Sequence, residues 1–365
     1  MTLSPDLLEC KARQQDDLLE NYIIHQKIGN GTYGTVYQAT QKTSGHCVAI
    51  KIVRHLDNPL VCRRTLREIK FLQHFKHQSI VSLLDVARPN SIHNFAEACL
   101  IQEYMPRNLT QVIKQYELSE LQISHLTRQL LLGLHAIHRT GIIHRDLKPD
   151  NLLVGPNCEL KICDFGLARS LFTGRGKRMK MSEYVATRWY RAPEIMLSRY
   201  GKSSDVWSSG CVLAEMLGKK VLFPGRDYTH QLDLIFTVLG SPTDEDLKAR
   251  YSSRSIHYIR TALPLRVRTP WKDIFPEASG DSLSLLNRLL TFNMDDRITV
   301  EDALQHQFVQ PWRGADDVLH DGESMAQTFL DCGDTDNTVD ASAKCECRTT
   351  HRSLDDQLIF PRRAF

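Results

Sequence analysis

Short β-branched and apolar runs dominate the first third of the chain. Thr35 to Ala39, Val48 to Val53 and Cys99 to Glu103 read as strands, and the first such pattern begins near Tyr22 and Ile23. One helical stretch, 62 to 75, interrupts them. Beyond Pro106 the period changes. Ile123, Leu126, Leu130, Leu134 and Ile137 recur at spacings of three or four, which makes one apolar helix face. The change of period predicts an α+β architecture of two unlike parts, strand-rich over 22–105 and helical over 106–312, with a small-molecule cleft expected where they join near 103–107. Residues 1–21, polar and without a period, read as an N-terminal extension. Residues 313–365 read as a C-terminal extension, acidic at Asp316, Asp317, Asp321, Glu323, Asp331, Asp334 and Asp336 and poor in aromatics.

Charge and cysteine content narrow the function. In 365 residues, 46 Lys+Arg against 43 Asp+Glu leave a formal charge of +3, without the basic footprint of a dedicated DNA or RNA binder. Ten cysteines, with no paired zinc spacing, fit reduced thiols in a cytosolic setting. Cys345 and Cys347, with His351, are too few for a closed zinc site. No run of eighteen apolar residues occurs and the first residues lack an apolar core, so neither membrane insertion nor secretion is expected.

Gly29-Asn30-Gly31-Thr32-Tyr33-Gly34 fits GxGxxG, a pattern shared by dinucleotide-binding turns, kinase loops and chance. A dinucleotide fold needs a helix after the last glycine. Here Thr35-Val36-Tyr37-Gln38-Ala39 alternates like a strand, so the glycines belong to a hairpin whose backbone amides can approach a triphosphate unhindered by Cβ atoms. An ordinary glycine-rich hairpin explains the motif equally well on its own. Lys51 closes Val48-Ala49-Ile50-Lys51, and Glu68 on the helical stretch is a suitable partner for it. Such a pair would aim the ammonium at α- and β-phosphate oxygens, although in isolation each reads as a surface charge.

His144-Arg145-Asp146-Leu147-Lys148-Pro149-Asp150-Asn151 follows the amphipathic helix, Asp164-Phe165-Gly166 follows the short strand Leu160 to Cys163, and Ala192-Pro193-Glu194 closes the series. In this order the motifs resemble the protein kinase signature set, from about Tyr22 to Phe308. The resemblance implies a bilobal kinase fold, a small β-rich N-lobe and a larger helical C-lobe, working with ATP and Mg²⁺. By it Asp146 would accept the substrate hydroxyl's proton, Lys148 would touch the γ-phosphate, and Asn151 and Asp164 would hold Mg²⁺. Gly29, Gly31, Gly34, Val36, Ala49 and Lys51 would contact ATP, with Gln102 as gatekeeper and Glu103, Tyr104 and Met105 as hinge. Asp205 would brace the catalytic loop and Arg297 would pair with Glu194. Cys163 reads as a buried strand residue rather than a reactive thiol.

Tyr184-Val185-Ala186-Thr187-Arg188-Trp189-Tyr190-Arg191 and Arg63-Arg64-Thr65-Leu66-Arg67-Glu68-Ile69 resemble mitogen-activated protein (MAP) kinases, the extracellular-signal-regulated branch above all. Ser182-Glu183-Tyr184 has Ser where the family's phosphorylated pair has Thr. The resemblance implies dual phosphorylation of Ser182 and Tyr184, with Arg67, Arg145 and Arg169 collecting the first phosphate, Arg188 and Arg191 the second, and Glu68 drawn toward Lys51 as a result. It further implies transfer to Ser or Thr followed by Pro, and residence in cytoplasm and nucleus. Implied partners are an upstream dual-specificity kinase, phosphatases, and substrates whose basic docking motifs meet Asp316 and Asp317, though Gly314 stands where the family has an acid. The basic run Arg175 to Lys180 reads as a solvated loop. A docking scaffold without activity and a cyclin-dependent-type kinase share many of these motifs and stay open at this point.

Overall fold

Alternation along the first strands sorts their side chains to two faces, and each face has its own task. The structure, a computed structural model, describes residues 16–31, 34–87, 96–171, 188–196, 201–248 and 251–312. The chain divides into two units, one holding 16–76 and Val81–Met105, the other His77–Ile80 and 106–312.

In the first unit helix α1 (Asp16–Asn21) leads into strands β1 (Tyr22–Gly31), β2 (Gly34–Gln41) and β3 (Cys47–Val53), then helix α2 (Pro59–His74), β4 (Leu83–Val86) and β5 (Ala98–Glu103). The strands form one antiparallel sheet in the order β1-β2-β3-β5-β4. Tyr37, Ala39, Val48, Ile50, Ile52, Cys99 and Ile101 pack on one face, joined by Leu18 and Tyr22. Leu18 is 2% exposed, so within the expected extension over 1–21 helix α1 seats a core side chain. The expected helix at 62–75 begins at Pro59, because Asn58 caps it by accepting the Leu60 N–H at 2.9 Å and Pro59 sits at its first position. Val61 and Ile69 of α2 pack with Val53, Leu56 and Leu100.

The second unit is helical, with small β-ribbons. β6 (Arg107–Asn108) precedes helix α3 (Leu109–Gln115) and helix α4 (Glu120–Arg139), and reciprocal side-chain caps start both helices, Asn108 with Gln111 and Ser119 with Gln122. All five apolar residues of the expected α4 face are buried. β7 (Ile142–Ile143) pairs with β10 (Arg169–Ser170), while β6, β8 (Leu152–Val154) and β9 (Leu160–Ile162) form a second ribbon. Helix α5 (Lys202–Gly218) packs against α4 and is buried over most of its length. Helices α6 (Tyr228–Leu239), α7 (Gly280–Leu289) and α8 (Val300–Leu304) follow. No described helix is long and apolar enough to cross a membrane.

One ion pair locks this unit. Arg297 Nη1 lies 2.6 Å from Glu194 Oε1 and Nη2 lies 3.0 Å from Oε2, and neither side chain is exposed at all. The guanidinium also reaches the carbonyls of Ser203, Thr291 and Phe292 and stacks over Trp207. Replacing one partner strands the other's charge in the interior, which costs about 3–5 kcal/mol. Arg297→Leu is therefore expected to lower the urea unfolding midpoint by the equivalent of that cost. A midpoint within about 1 kcal/mol of the parent would show that the pair adds nothing beyond what an apolar side chain supplies.

Candidate active site

On β2, β3 and β5, Val36 pairs with Lys51 and Ala49 with Gln102, so all four side chains share the sheet face opposite the Tyr37–Ile50 core. Lys51 Nζ donates to both Glu68 oxygens, at 2.6 and 2.8 Å, and Glu68 is 4% exposed. The Lys51–Glu68 pair looked for in the sequence is thus formed within the first unit. The expected glycines differ in purpose. A Cβ on Gly34 would stand 2.2 Å from the Ile52 carbonyl, whereas one on Gly29 would make ordinary contact with Val36 at 3.5 Å. Gly34 is thus required by the sheet itself and Gly29 is not. Gly31 pairs with Gly34 at the end of the hairpin. Glu103 is held by Ser82, whose N–H it accepts at 2.7 Å and to whose carbonyl it donates at 3.1 Å, and Met105 lies just past β5, half-buried.

In the second unit the catalytic loop is built around the carboxylate of Asp205. Its Oδ2 accepts the His144 N–H at 2.8 Å and its Oδ1 the Arg145 N–H at 2.9 Å. Arg145 stands at φ +73°, a left-handed conformation that costs a non-glycine residue about 1–3 kcal/mol and persists only where its surroundings enforce it. His144 Nε2 faces the Cys163 carbonyl at 3.1 Å and Nδ1 faces the Asp146 N–H at 3.3 Å, a pairing that needs the neutral ring with its proton on Nε2.

Asp146 is thereby turned toward Lys148 and Asn151. Lys148 Nζ donates to Asp146 Oδ2 at 2.8 Å, and Asn151 Nδ2 donates to the same oxygen at 2.9 Å and to the Asp146 carbonyl at 2.8 Å. Burial, with the Asp164 charge adding to it, pushes the Asp146 carboxyl up from the ordinary aspartate value despite the Lys148 ammonium. Burial alone would lower Lys148, but the Asp146, Asp164 and Asp150 charges outweigh it and raise it. Asp164 has φ +62° and starts the turn Phe165–Leu167, with Phe165 fully buried against the His144 ring. Cys163 lies one residue beyond the end of β9 and is half-buried, so it is neither in the strand nor fully enclosed.

The residues before the Ala-Pro-Glu motif are stapled to α5 and to the α6 entrance. Trp189 Nε1 donates to the Gly225 carbonyl at 3.2 Å, Gln231 Nε2 donates to the Trp189 carbonyl at 3.3 Å, and the Tyr190 hydroxyl donates to Glu215 at 2.7 Å. Burial, then the Glu215 charge, pushes the Tyr190 hydroxyl up. Arg188 and Arg191, expected to share a phosphate, converge on Tyr228: one guanidinium lies over its ring at 5.5 Å, the other donates to its hydroxyl at 3.1 Å. Arg169 donates to the Ala168 carbonyl at 3.0 Å, and its strand pairs with Ile143 beside Arg145. Arg67 is buried on α2 of the first unit. Ser182, Tyr184, the Arg175–Lys180 run, Gly314, Asp316, Asp317 and the Cys345–His351 group lie outside the described residues.

A model of the protein kinase domain matches residues 22–309. MAP kinase PMK1 of Pyricularia oryzae is 49% identical over 300 residues, covering 82% of this chain and 84% of its own. MAP kinase mpkB of Aspergillus fumigatus is likewise 49% identical over 82% of this chain and 85% of its own. MAP kinase spk1 of Schizosaccharomyces pombe is 48% identical over 303 residues, 82% of this chain and 81% of its own. The chain belongs to the MAP kinases.

This MAP kinase is a serine/threonine protein kinase. The family takes ATP as phosphoryl donor and typically uses Mg²⁺ with it. Asn151 and Asp164 fit a small hard cation that keeps several waters. With Nδ2 committed to Asp146, Asn151 turns Oδ1 the other way, and Asp164 carries a carboxylate charge into the same neighbourhood. Two oxygen ligands completed by phosphate oxygens are the coordination these side chains suit. A bound cation there would neutralise charge on the phosphate oxygens. Sequence reasoning missed Tyr228 and His138, because each works through a partner dozens of residues away. The Asp227 cap on α6 marks the helix start, but nothing near Tyr228 in sequence indicates its arginines.

Two outcomes test the MAP kinase site. A general base works only when ionised, so activity falls as pH drops through its pKa. With Asp146 raised, the acid limb of kcat/KM is expected above the ordinary aspartate range, and Asp146→Asn is expected to remove that limb and lower the rate by about 10²–10⁴-fold. A pH profile flat through this region in the parent enzyme would remove Asp146 from the role. Second, Gly29→Ala is expected to keep the unfolding midpoint while weakening ATP binding, whereas Gly34→Ala lowers the midpoint itself. Equal midpoints for the two variants, by thermal denaturation, would contradict that division.

Proposed function

We propose that this MAP kinase transfers the γ-phosphoryl group of ATP, with Mg²⁺ held by Asn151 and Asp164, to Ser or Thr residues followed by Pro. The observation that carries this reading is the closed set Asp146–Lys148–Asn151, in which one carboxylate is both anchored and raised in basicity. Phosphoryl transfer asks little bond-making of a protein, so positioning of this kind supplies most of what is needed. The preference for Pro is supported by the stapled platform of Arg188–Tyr190, because a proline next to the acceptor leaves no N–H there to satisfy.

Activation proceeds by phosphorylation of Ser182 and Tyr184 by an upstream dual-specificity kinase, and phosphatases reverse it. A phosphoserine offers the same charge and oxygens as a phosphothreonine but lacks the methyl that restricts its rotamers. Arg188 and Arg191, both drawn to Tyr228, support a basic receiving site for the second phosphate. Captured phosphates order the substrate platform around Arg188–Tyr190 and hold the helix bearing Glu68 toward Lys51. Basic docking motifs of partners engage Asp316 and Asp317, and the enzyme works in cytoplasm and nucleus.

The combined variant Ser182→Ala, Tyr184→Phe, treated with an upstream dual-specificity kinase, is expected to phosphorylate a Ser-Pro peptide on the order of 10²-fold more slowly than the parent, a cost in the range of a misaligned platform. Phosphopeptide mass spectrometry of the treated parent should find both sites. Parent and variant of equal rate would refute the switch, and a peptide with Ala after the Ser that reacts as fast as the Pro peptide would refute the specificity.

A further inference from the structure

We infer that Arg226, braced by His230, is a specificity-determining residue of this kinase: the two side chains recognise an anionic group of the substrate, a carboxylate or a phosphate, close to its Ser/Thr-Pro pair. The inference rests on the reading of Arg188–Tyr190 as the platform for that pair. Arg226 stands just before α6, and this stretch is fastened to the platform at two points. Arg188 Nη1 donates to the Arg226 carbonyl at 3.0 Å, and Trp189 Nε1 donates to the Gly225 carbonyl at 3.2 Å. A chain seated on Arg188–Tyr190 therefore has Arg226 as an immediate neighbour.

Arg226 and His230 together present donors and no acceptor. His230 Nδ1 faces the Arg226 backbone N–H at 3.2 Å and the Arg226 Nε–H at 3.4 Å. Only a neutral ring with its proton on Nε2 can accept both. The ring thus holds the guanidinium in place and keeps an N–H of its own to donate. Arg226 is exposed, and its Nη atoms make no hydrogen bond or ion pair among the described residues. The carboxylate next to it in sequence, Asp227, is engaged as the α6 cap, accepting the His230 N–H at 2.8 Å. That cap satisfies the helix start without an outside anion, so the attraction comes from the side chains. What is left is an oriented fork with no counter-charge. Such a fork matches two oxygens of a carboxylate or phosphate and gives up little freedom in binding them. A cationic substrate residue would be repelled instead, because Arg188 and Arg191 gather at Tyr228 beside Arg226.

The experiment measures kcat/KM of the full-length activated kinase on Ser-Pro peptides that carry Ala, Glu or phosphoserine at successive positions on either side of the acceptor. At one position Glu is expected to raise kcat/KM about three- to fivefold over Ala, and phosphoserine about tenfold, the range of an exposed charge pair with bidentate geometry. A gain from phosphoserine alone assigns the site to substrates already phosphorylated nearby, and a gain from both assigns it to acidic ones as well. Arg226→Gln is expected to abolish the gain and leave the rate on the Ala peptide unchanged, since the Arg226 carbonyl, not its side chain, holds Arg188. Arg226→Glu is expected to reverse the preference in favour of Lys at the same position. His230→Ala is expected to weaken the gain, and a gain left whole would overturn the shared geometry. The inference fails if no position shows a gain in the parent, or if the gain survives Arg226→Gln. It fails equally if Arg226→Gln slows every peptide by the same factor, the Ala peptide included, which would assign the guanidinium to the enzyme's own activation segment. Replacing the Pro by Ala separates the two readings. If proline preference holds and no acidic position exists, this inference alone fails. If proline preference is absent while the Glu gain still depends on Arg226, the anion site stands and the proline reading fails.

Discussion

A carboxylate removed from water must be surrounded by donors or give up its charge, and Asp205 meets that demand with groups the enzyme needs elsewhere. Two of its donors are peptide N–H groups of the catalytic loop, so the cheapest way to solvate the buried charge is also the geometry that holds the loop. Compensation runs in both directions. The loop pays about 1–3 kcal/mol for the left-handed Arg145, and charge-assisted hydrogen bonds, each about twice as strong as neutral ones, hold it there. Asp146, Lys148 and Asn151 then need only short side-chain bonds among themselves to complete the site.

The same logic separates buried pairs that serve architecture from those that serve chemistry. Arg297 and Glu194 are wholly enclosed and bidentate, with further carbonyls satisfying the guanidinium. Such a pair is fixed for the life of the fold. Lys51, with a side chain 22% exposed against 5% for Glu68, keeps access to a third party. Arg188 and Arg191, by contrast, are gathered at one tyrosine, Tyr228.

Much of this was legible in the residues. Alternation in Thr35–Ala39 and Val48–Val53 told which side chains share a face, and the register of β2, β3 and β5 then aligned Val36, Ala49, Lys51 and Gln102. The period of Ile123 to Ile137 located α4 and its buried stripe. Helix α2 was placed three residues late because hydrophobic period, not the Asn58-Pro59 start signal, was followed. Helix α1 was hidden because one buried leucine in a short polar segment makes no period. Contacts across long sequence separations stayed illegible for a different reason. His138 looks like a polar residue ending a helix, and only the fold brings Asp205, 67 positions on, to its ring. Gly34 and Gly29 are likewise indistinguishable in the motif, since the Ile52 carbonyl that tells them apart comes from another strand.

The charge balance of the catalytic loop is the last constraint that follows from these positions. Asp146, Asp164 and Asp150 all act on the ammonium of Lys148 and raise its pKa against the burial that would lower it. Asp146 carries the other side of that account, since its carboxyl is raised by burial and by Asp164 even with Lys148 bonded to it. Hard carboxylate oxygens beside an asparagine oxygen are the set that favours a divalent cation over an organic one. A nucleotide would bring several negative charges more, so a cation accompanying it would neutralise charge from the loop as well as from the phosphates.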